Sequence, residues 1–534
     1  MDYVSIEFYL FLAAVVVLYY SFPLRFRWLV LLAGSLGYYY LATFSGRECM
    51  IFLGIIAVSW ALGLLQERLA VPSAFPSCST AEEASQSQFG RDSAQRRGSS
   101  RFRNNCPRIV RGRRARNISE GVRRCVLALS IALVLVPLLL TRFPDSLYSV
   151  ESLLGAGHTG VVVSIGLSFF TMQIIAYLVD IYRGRITAQR NPLKYALFVS
   201  FFPQILQGPI PRYEQLEPQL VAGHRFDERN IADGFLRILW GFFLKLVIAD
   251  KAGVVVNVIF AEPEIYSGAY ILVGGILYTI QLYTDFLACF TLARGAAELF
   301  GIQLADNFRR PFLSVSIREF WTRWHISLSS WLRDYIYIPL GGSRKGKPRR
   351  FLNLIITFAI SGLWHGSGLK YVFWGLMNAV YEIIGEMTQT LRDRFLARIG
   401  IAPDSRKRLW IRRAATYALI VISWIVFRAD TLGNAFSMLR SMVTVYNPWI
   451  LWDDSLLELG LVWKEWLVLA GAVLLLLLVD LRQERDGQTS IRSRILAQPF
   501  WIRCLLYTTA FAGIVIFGTY GYGFNASDFI YGGF

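Results

Sequence analysis

Residues Phe351–His365 read FLNLIITFAISGLWH. The stretch is apolar and ends on a histidine. The residues before it, GGSRKGKPRR (Gly341–Arg350), carry five cations and no acid. Basic loops beside apolar spans stay on the cytosolic side, so this helix starts at the inner boundary. Fourteen steps of about 1.5 Å put His365 roughly 21 Å along the axis. That is beyond the middle of a hydrocarbon core about 30 Å thick. Gly366, Ser367 and Gly368 then break the helix. Irregular backbone at that depth is tolerated only where protein or a water-filled cavity satisfies it. An ionisable side chain there is costly and marks a candidate for function; the ordinary alternative is a polar contact between packed helices.

The rest of the chain agrees with a membrane setting. Of 534 residues, 54% are hydrophobic and 15% aromatic, with 17% charged; soluble domains carry about 25% charged residues. Apolar runs approaching the roughly 20 residues that cross a bilayer lie at Ile6–Tyr20, Trp28–Phe44, Met50–Leu65, Val126–Leu140, Val161–Ile181 and Trp466–Val479. The expectation is an all-α, polytopic integral membrane protein with about eleven transmembrane helices. Pro203, Gly208, Pro209 and Pro211 interrupt an apolar segment and predict a re-entrant element lining a cavity. The first apolar run follows the acidic Asp2 and lacks a basic n-region, so it does not read as a removable signal peptide.

The net charge of +18 is uneven. From Gln66 to Arg124 there are thirteen arginines and five acidic residues, in a Ser-, Arg- and Pro-rich setting without periodicity. This predicts a disordered cytosolic insert, residues 66–124, between N-terminal helices 1–65 and a membrane core 125–534. Such a run between spans is ordinarily a topology signal or contacts anionic lipid, and a nucleic-acid role is not expected. Arg25 and Arg27, YRGRITAQR (Tyr182–Arg190) and Gly341–Arg350 all fall inside if the N-terminus is outside. Ser45–Glu48 and Asp145–Gly160 are then outside. Six cysteines without a CxxC pair and four scattered histidines predict neither a disulfide framework nor a metal site.

A second histidine precedes His365 in FWTRWHISLSSWLRDYIYIPLGGSRKG, Phe320–Gly346. Helical spacing over Ser316–Tyr335 puts Trp321, Trp324, His325, Leu328, Trp331, Leu332 and Tyr335 on one face. Arg323, Ser327, Ser330 and Asp334 fall on the other. This is too polar to span a bilayer and predicts an amphipathic helix at the cytosolic interface. A lone buried histidine ordinarily donates one hydrogen bond among aromatic rings; a partner at residue 365 favours a functional pair. A desolvated imidazole stays uncharged and can take a proton from a hydroxyl. That suits transfer of an acyl group from a thioester to an alcohol. No GxSxG occurs and no cysteine neighbours either histidine in sequence, so direct attack by the acceptor hydroxyl is the simpler route.

These blocks resemble the two signature regions of the membrane-bound O-acyltransferases: IREFWTRWHISLSSWLRDYIYIPLGGSRKG and SGLWHGSGLKYVFWGLMNAVY. Within that family they are similar to the bacterial polysaccharide branch, which includes an alginate O-acetyltransferase membrane subunit and the D-alanyl transferase of teichoic acids. Further matching segments are Ile165–Gly184, Phe201–Tyr213, Gln281–Phe286, Asn307–Ser314, Ser423–Ala429 and the terminal FIYGGF. The resemblance implies transmembrane, re-entrant and interfacial helices around a central tunnel. It makes His365 the catalytic histidine and His325 the second active-site histidine, with Trp324 and Trp364 as walls. It implies a donor thioester from the cytosol, acetyl-CoA or a carrier-protein thioester, and no bound cofactor. It also implies an extracytoplasmic polysaccharide acceptor, an esterase-like extracytoplasmic partner and residence in a bacterial cytoplasmic membrane. One departure stands out: where relatives read DFSGYSDMAIG, this chain has DFLACFTLARG, Asp285–Gly295. The pocket there, and with it the acyl group or acceptor, is open.

Asp285 lies inside an apolar helix one turn after Gln281, and either orients a catalytic group or closes a buried polar network. Arg294 is too far along for direct pairing with Asp285. Lys245, Asp250 and Lys251 read as snorkelling groups near a helix end. Arg333 and Asp334, with Arg344, Lys345 and Lys347, either contact donor phosphates or form a plain basic loop. His158 and His224 read as loop residues. The rival class is a transporter or flippase, which broken helices also fit; no internal repeat pairs the broken segments.

Overall fold

The computed structural model describes residues 3–69, 120–142, 166–366, 368–487 and 491–520. All regular elements among these are helical. The first four are α1 (Ile6–Ser21), α2 (Arg27–Thr43), α3 (Gly46–Leu69) and α4 (Glu120–Arg142). Next come α5 (Leu167–Tyr182), α6 (Pro192–Ser200), α7 (Phe202–Ile205) and α8 (Tyr213–Ala222). Then α9 (Glu228–Phe242) runs through a π-helical segment, Phe243–Ala249, into α10 (Asp250–Ala261). The long α11 (Ala269–Glu298) follows, and then the short α12 (Ile317–Arg323) and α13 (Ile326–Leu332). A hairpin of α14 (Gly346–His365) and α15 (Leu369–Met387) leads to α16 (Gln389–Arg398) and α17 (Arg406–Arg428). The chain closes with α18 (Leu432–Thr444), α19 (Trp463–Asp486), α20 (Ile491–Leu496) and α21 (Phe500–Phe517).

Helices α3, α4, α11, α17 and α21 are long and apolar enough to cross a membrane, and α1 and α5 are shorter apolar helices. Of the six apolar runs read from sequence, the described parts lie on helices; residues 161–165 of the run Val161–Ile181 are outside the described residues. The basic insert between 70 and 119, Asp145–Gly160 with His158, Cys78, Cys106 and the terminal FIYGGF lie outside the described residues.

The ends of these helices follow local chemistry. Ser5 caps α1 by accepting the Phe8 N–H, and Asn191 caps α6 ahead of Pro192. The centre of the bundle is α11, buried along most of its length and packed along α9 and α10. At the α14–α15 hairpin the backbones approach closely. A Cβ on Gly362 would sit 2.2 Å from the Tyr371 carbonyl oxygen, and one on Gly375 2.2 Å from that of Phe358. Only glycine fits there, and the contact seats the end of α14 against α15. Arg350 at the start of α14 pairs with Glu386 near the end of α15.

Two sequence expectations change. The single amphipathic helix over Ser316–Tyr335 is broken: α12 ends at Arg323, His325 takes a left-handed backbone (φ 46°), and α13 gives way to a π-helical turn at Arg333–Tyr337. The cause is an outside strand of chain. Asn307 accepts the Ile326 N–H at 2.9 Å, and the Arg309 N–H donates to the Arg323 carbonyl at 2.8 Å. Ser327, expected on the wet face, is buried. The second change is Lys245, which does not snorkel. It is 1% exposed and its Nζ lies 2.8 Å from both Asp250 and Asp285. Lys251 is buried too, 3.5 Å from Glu465. The π-helical segment turns Lys245 inward, where two carboxylates offset its desolvation.

Candidate active site

His365 is the last residue of α14 and is 3% exposed. Its ring is enclosed by Trp364, Trp374 and Phe427, with centroids 4.8, 5.1 and 5.3 Å away. Trp374 stacks on Trp424 at 5.4 Å, so the enclosure is backed by α15 and α17. Gly366 ends the helix, as the sequence predicts.

His325 reaches the same place from the break between α12 and α13. Trp364 lies against both imidazoles, 5.8 Å from His325 and 4.8 Å from His365. Phe286 and Phe290 of α11 meet the His325 ring edge-on at 4.9 and 5.9 Å. The departing segment Asp285–Gly295 therefore forms one wall of the site. Helices of seven residues do not span, and His325 belongs to no crossing helix. Burial, and then the neighbouring His365, hold its pKa well below the usual imidazole value. It is uncharged at neutral pH. Its Nδ1 lies 3.2 Å from the Asn307 amide nitrogen, while Nε2 is buried with no hydrogen-bond partner among the described residues.

The other residues singled out by sequence fall into three places. Trp324 is buried behind His325, its ring against Trp424 (5.3 Å) and Phe308 (4.9 Å), an outer wall rather than a lining. Asp285 is engaged by Lys245, which also pairs with Asp250, and the three form a polar network inside the bundle. Gln281 lies one turn before Asp285 with a buried side-chain oxygen that finds no hydrogen-bond partner among the described residues. Asp334 is tied up by Arg212 at 2.9 Å and by Arg333 at 2.9 Å, and Arg183 donates to its carbonyl. Arg333 itself is exposed, as are Arg344, Lys345 and Lys347. Arg294 pairs with Asp306, and His224 is a structural residue whose Nε2 meets the Gln219 carbonyl at 2.8 Å.

The segment after α7, with Gly208, Pro209 and Pro211, lines a small cavity together with Phe169, Gln173 and Gln204. Phe169 also meets Trp364 edge-on at 5.7 Å. The cavity thus stands one aromatic pair away from the histidines. Sequence reasoning missed Asn307 and Phe427, which reach the site from 18 and 62 residues away along the chain.

An interior pair of imidazoles, one at the end of α14 and one at the break between α12 and α13, is suited to moving a proton away from water. Residues 166–427 match the family described as MBOAT, membrane-bound O-acyltransferase. Over that region the chain is similar to the family. It is 38% identical over 294 residues to the probable alginate O-acetylase AlgI of Pseudomonas fluorescens, covering 55% of this chain and 56% of that protein. With the probable alginate O-acetylase AlgI of Pseudomonas syringae pv. tomato it shares 36% over 338 residues, 63% of this chain and 62% of the relative. With the peptidoglycan O-acetyltransferase of Helicobacter pylori it shares 33% over 309 residues, 53% of this chain and 57% of the relative. The matches span somewhat more than half the length of these curated relatives.

Proposed function

We propose that the chain is an O-acyltransferase. It moves an acyl group, acetyl in the first instance, from a cytosolic thioester to a hydroxyl of an extracytoplasmic cell-surface polysaccharide, or to a partner protein that completes the transfer. The observation that carries this reading is the pair of buried imidazoles sharing Trp364 as a common wall. The acceptor oxygen attacks the thioester carbonyl carbon, a C–O bond forms, and the hydroxyl proton passes to His365. His325 meets the donor at its carbonyl oxygen. The adduct collapses, the C–S bond breaks, and the thiolate leaves with the proton that His365 held. Ester and free thiol result, with no change in total charge.

The exposed Arg333, Arg344, Lys345 and Lys347 at the cytosolic face support acyl-CoA as donor, since its phosphates need cations; a carrier-protein thioester fits the same entrance. The alginate and peptidoglycan acetylating relatives support acetyl as the group and a polysaccharide as the acceptor. The setting is a bacterial cytoplasmic membrane, crossed about eleven times once shorter and polar-ended helices join the five long ones. The partner is an esterase-like extracytoplasmic protein.

The test uses purified protein in proteoliposomes with labelled acetyl-CoA inside and an oligosaccharide outside. Labelled ester should form, and His365→Ala should lower its rate by about 10³-fold. Passage of saccharide across the bilayer without any covalent change would mean a transporter instead.

A further inference from the structure

We propose that Asn307 is a positioning residue that sets the tautomer of His325, leaving the ring proton on Nε2, so that the two histidines hold opposite roles. Asn307 makes three ties to the break between α12 and α13. Its backbone oxygen accepts the Ile326 N–H at 2.9 Å. Its side-chain oxygen accepts the Ser327 N–H at 2.8 Å. Its amide nitrogen lies 3.2 Å from His325 Nδ1. The second tie decides the third. A backbone N–H can only donate, so the atom of Asn307 facing Ser327 must be the oxygen. That orients the amide and turns its NH₂ group toward the imidazole. The oxygen lies farther from Nδ1, at 3.4 Å.

An amide NH₂ is a donor, and at the shorter of the two contacts a protonated Nδ1 would set donor against donor, while the oxygen already holds the Ser327 N–H. Nδ1 is therefore the bare nitrogen, and a neutral ring carries its proton on Nε2. Both side chains are sealed, Asn307 at 2% and His325 at 1% exposure, so water does not compete for the arrangement. The left-handed backbone at His325, sparsely populated by residues other than glycine, is held by the same bonds.

The chemical role rests on the acyl-transfer reading; the tautomer does not. With Nε2 bearing hydrogen, His325 is a donor, suited to the oxygen of the thioester carbonyl as it gains charge. It is not a base. Proton acceptance then belongs to His365.

Nitrogen-15 NMR of histidine-labelled protein in nanodiscs reads this directly, because protonated and bare ring nitrogens resonate far apart. The His325 signals are assigned by their loss in His325→Gln. Wild type should show His325 with protonated Nε2 and bare Nδ1. A His325 proton found on Nδ1, or a doubly protonated ring at neutral pH, overturns the proposal whether or not any activity is detected. Asn307→Asp keeps an oxygen for Ser327 and presents a second one to Nδ1, so the proton should move to Nδ1 and Nε2 should become bare. In the acetyl-transfer assay the same variant should lose turnover by about 10²-fold, the scale of one lost oxyanion donor, with KM little changed. A moved tautomer with full turnover removes the catalytic role. An absence of transfer in wild type counts against the acyl-transfer reading and leaves the tautomer result standing.

Discussion

A buried lysine between two aspartates shows how much one side chain carries. Lys245 Nζ sits 2.8 Å from both Asp250 and Asp285, and all three are nearly inaccessible. Removing one partner of a buried charge group leaves the others uncompensated, at a cost of about 3–5 kcal/mol. Lys245→Met should therefore lower stability by that order, read from chemical or thermal unfolding in detergent. Asp285→Asn should cost less, because Asp250 still pairs with the ammonium. At His365 the expectation concerns chemistry rather than stability. His365→Gln should fold with an unchanged melting midpoint yet lose acetyl transfer by about 10³-fold; loss of folding along with activity would mark the residue as a packing contact.

The α14–α15 hairpin delivers His365, and its crossing depends on two glycines. A methyl group at Gly375 would press on the Phe358 carbonyl at 2.2 Å, whereas Gly385 farther along α15 has open space around its Cβ position. Gly375→Ala should push the helices apart and cost about 10²-fold in turnover, the scale of a displacement near 1 Å. Gly385→Ala should change neither turnover nor melting midpoint. Equal effects from both would show that helix propensity, not the close crossing, is what matters. The end of this element was legible from its residues: an apolar run and a glycine break stop α14 at His365, while its start falls at Gly346, inside the basic run rather than after it. The break at His325 was not. Periodicity over Ser316–Tyr335 describes an isolated helix and is blind to Asn307 and Arg309, whose bonds interrupt it from a separate stretch of chain. The inward turn of Lys245 was hidden for the same reason, since its partner Asp285 is 40 residues on. Charges alone near a helix end read as snorkelling when the packing neighbour is unknown.

Across the whole molecule, charge placement predicts an orientation. The exposed run Arg344–Arg349 lies at the start of α14, and Arg406, Lys407 and Arg408 open α17. The positive-inside rule leads one to expect both ends at the cytosol. The segment between α18 and α19, with Asp453 and Asp454, then faces the other side. Single cysteines in otherwise cysteine-free protein test this: Lys347→Cys should react with a membrane-impermeant maleimide only in inside-out vesicles, and Asp454→Cys only in right-side-out ones. Labelling of both from one side would refute the topology. The ring of Trp364, Trp374 and Phe427 about His365 carries a last implication. With the proposed thioester donor, competing attack by solvent is the main hazard, and a site walled by indole and phenyl groups would starve that side reaction. Trp374→Ala should let it in, and free acetate should then accumulate at the expense of acetylated sugar.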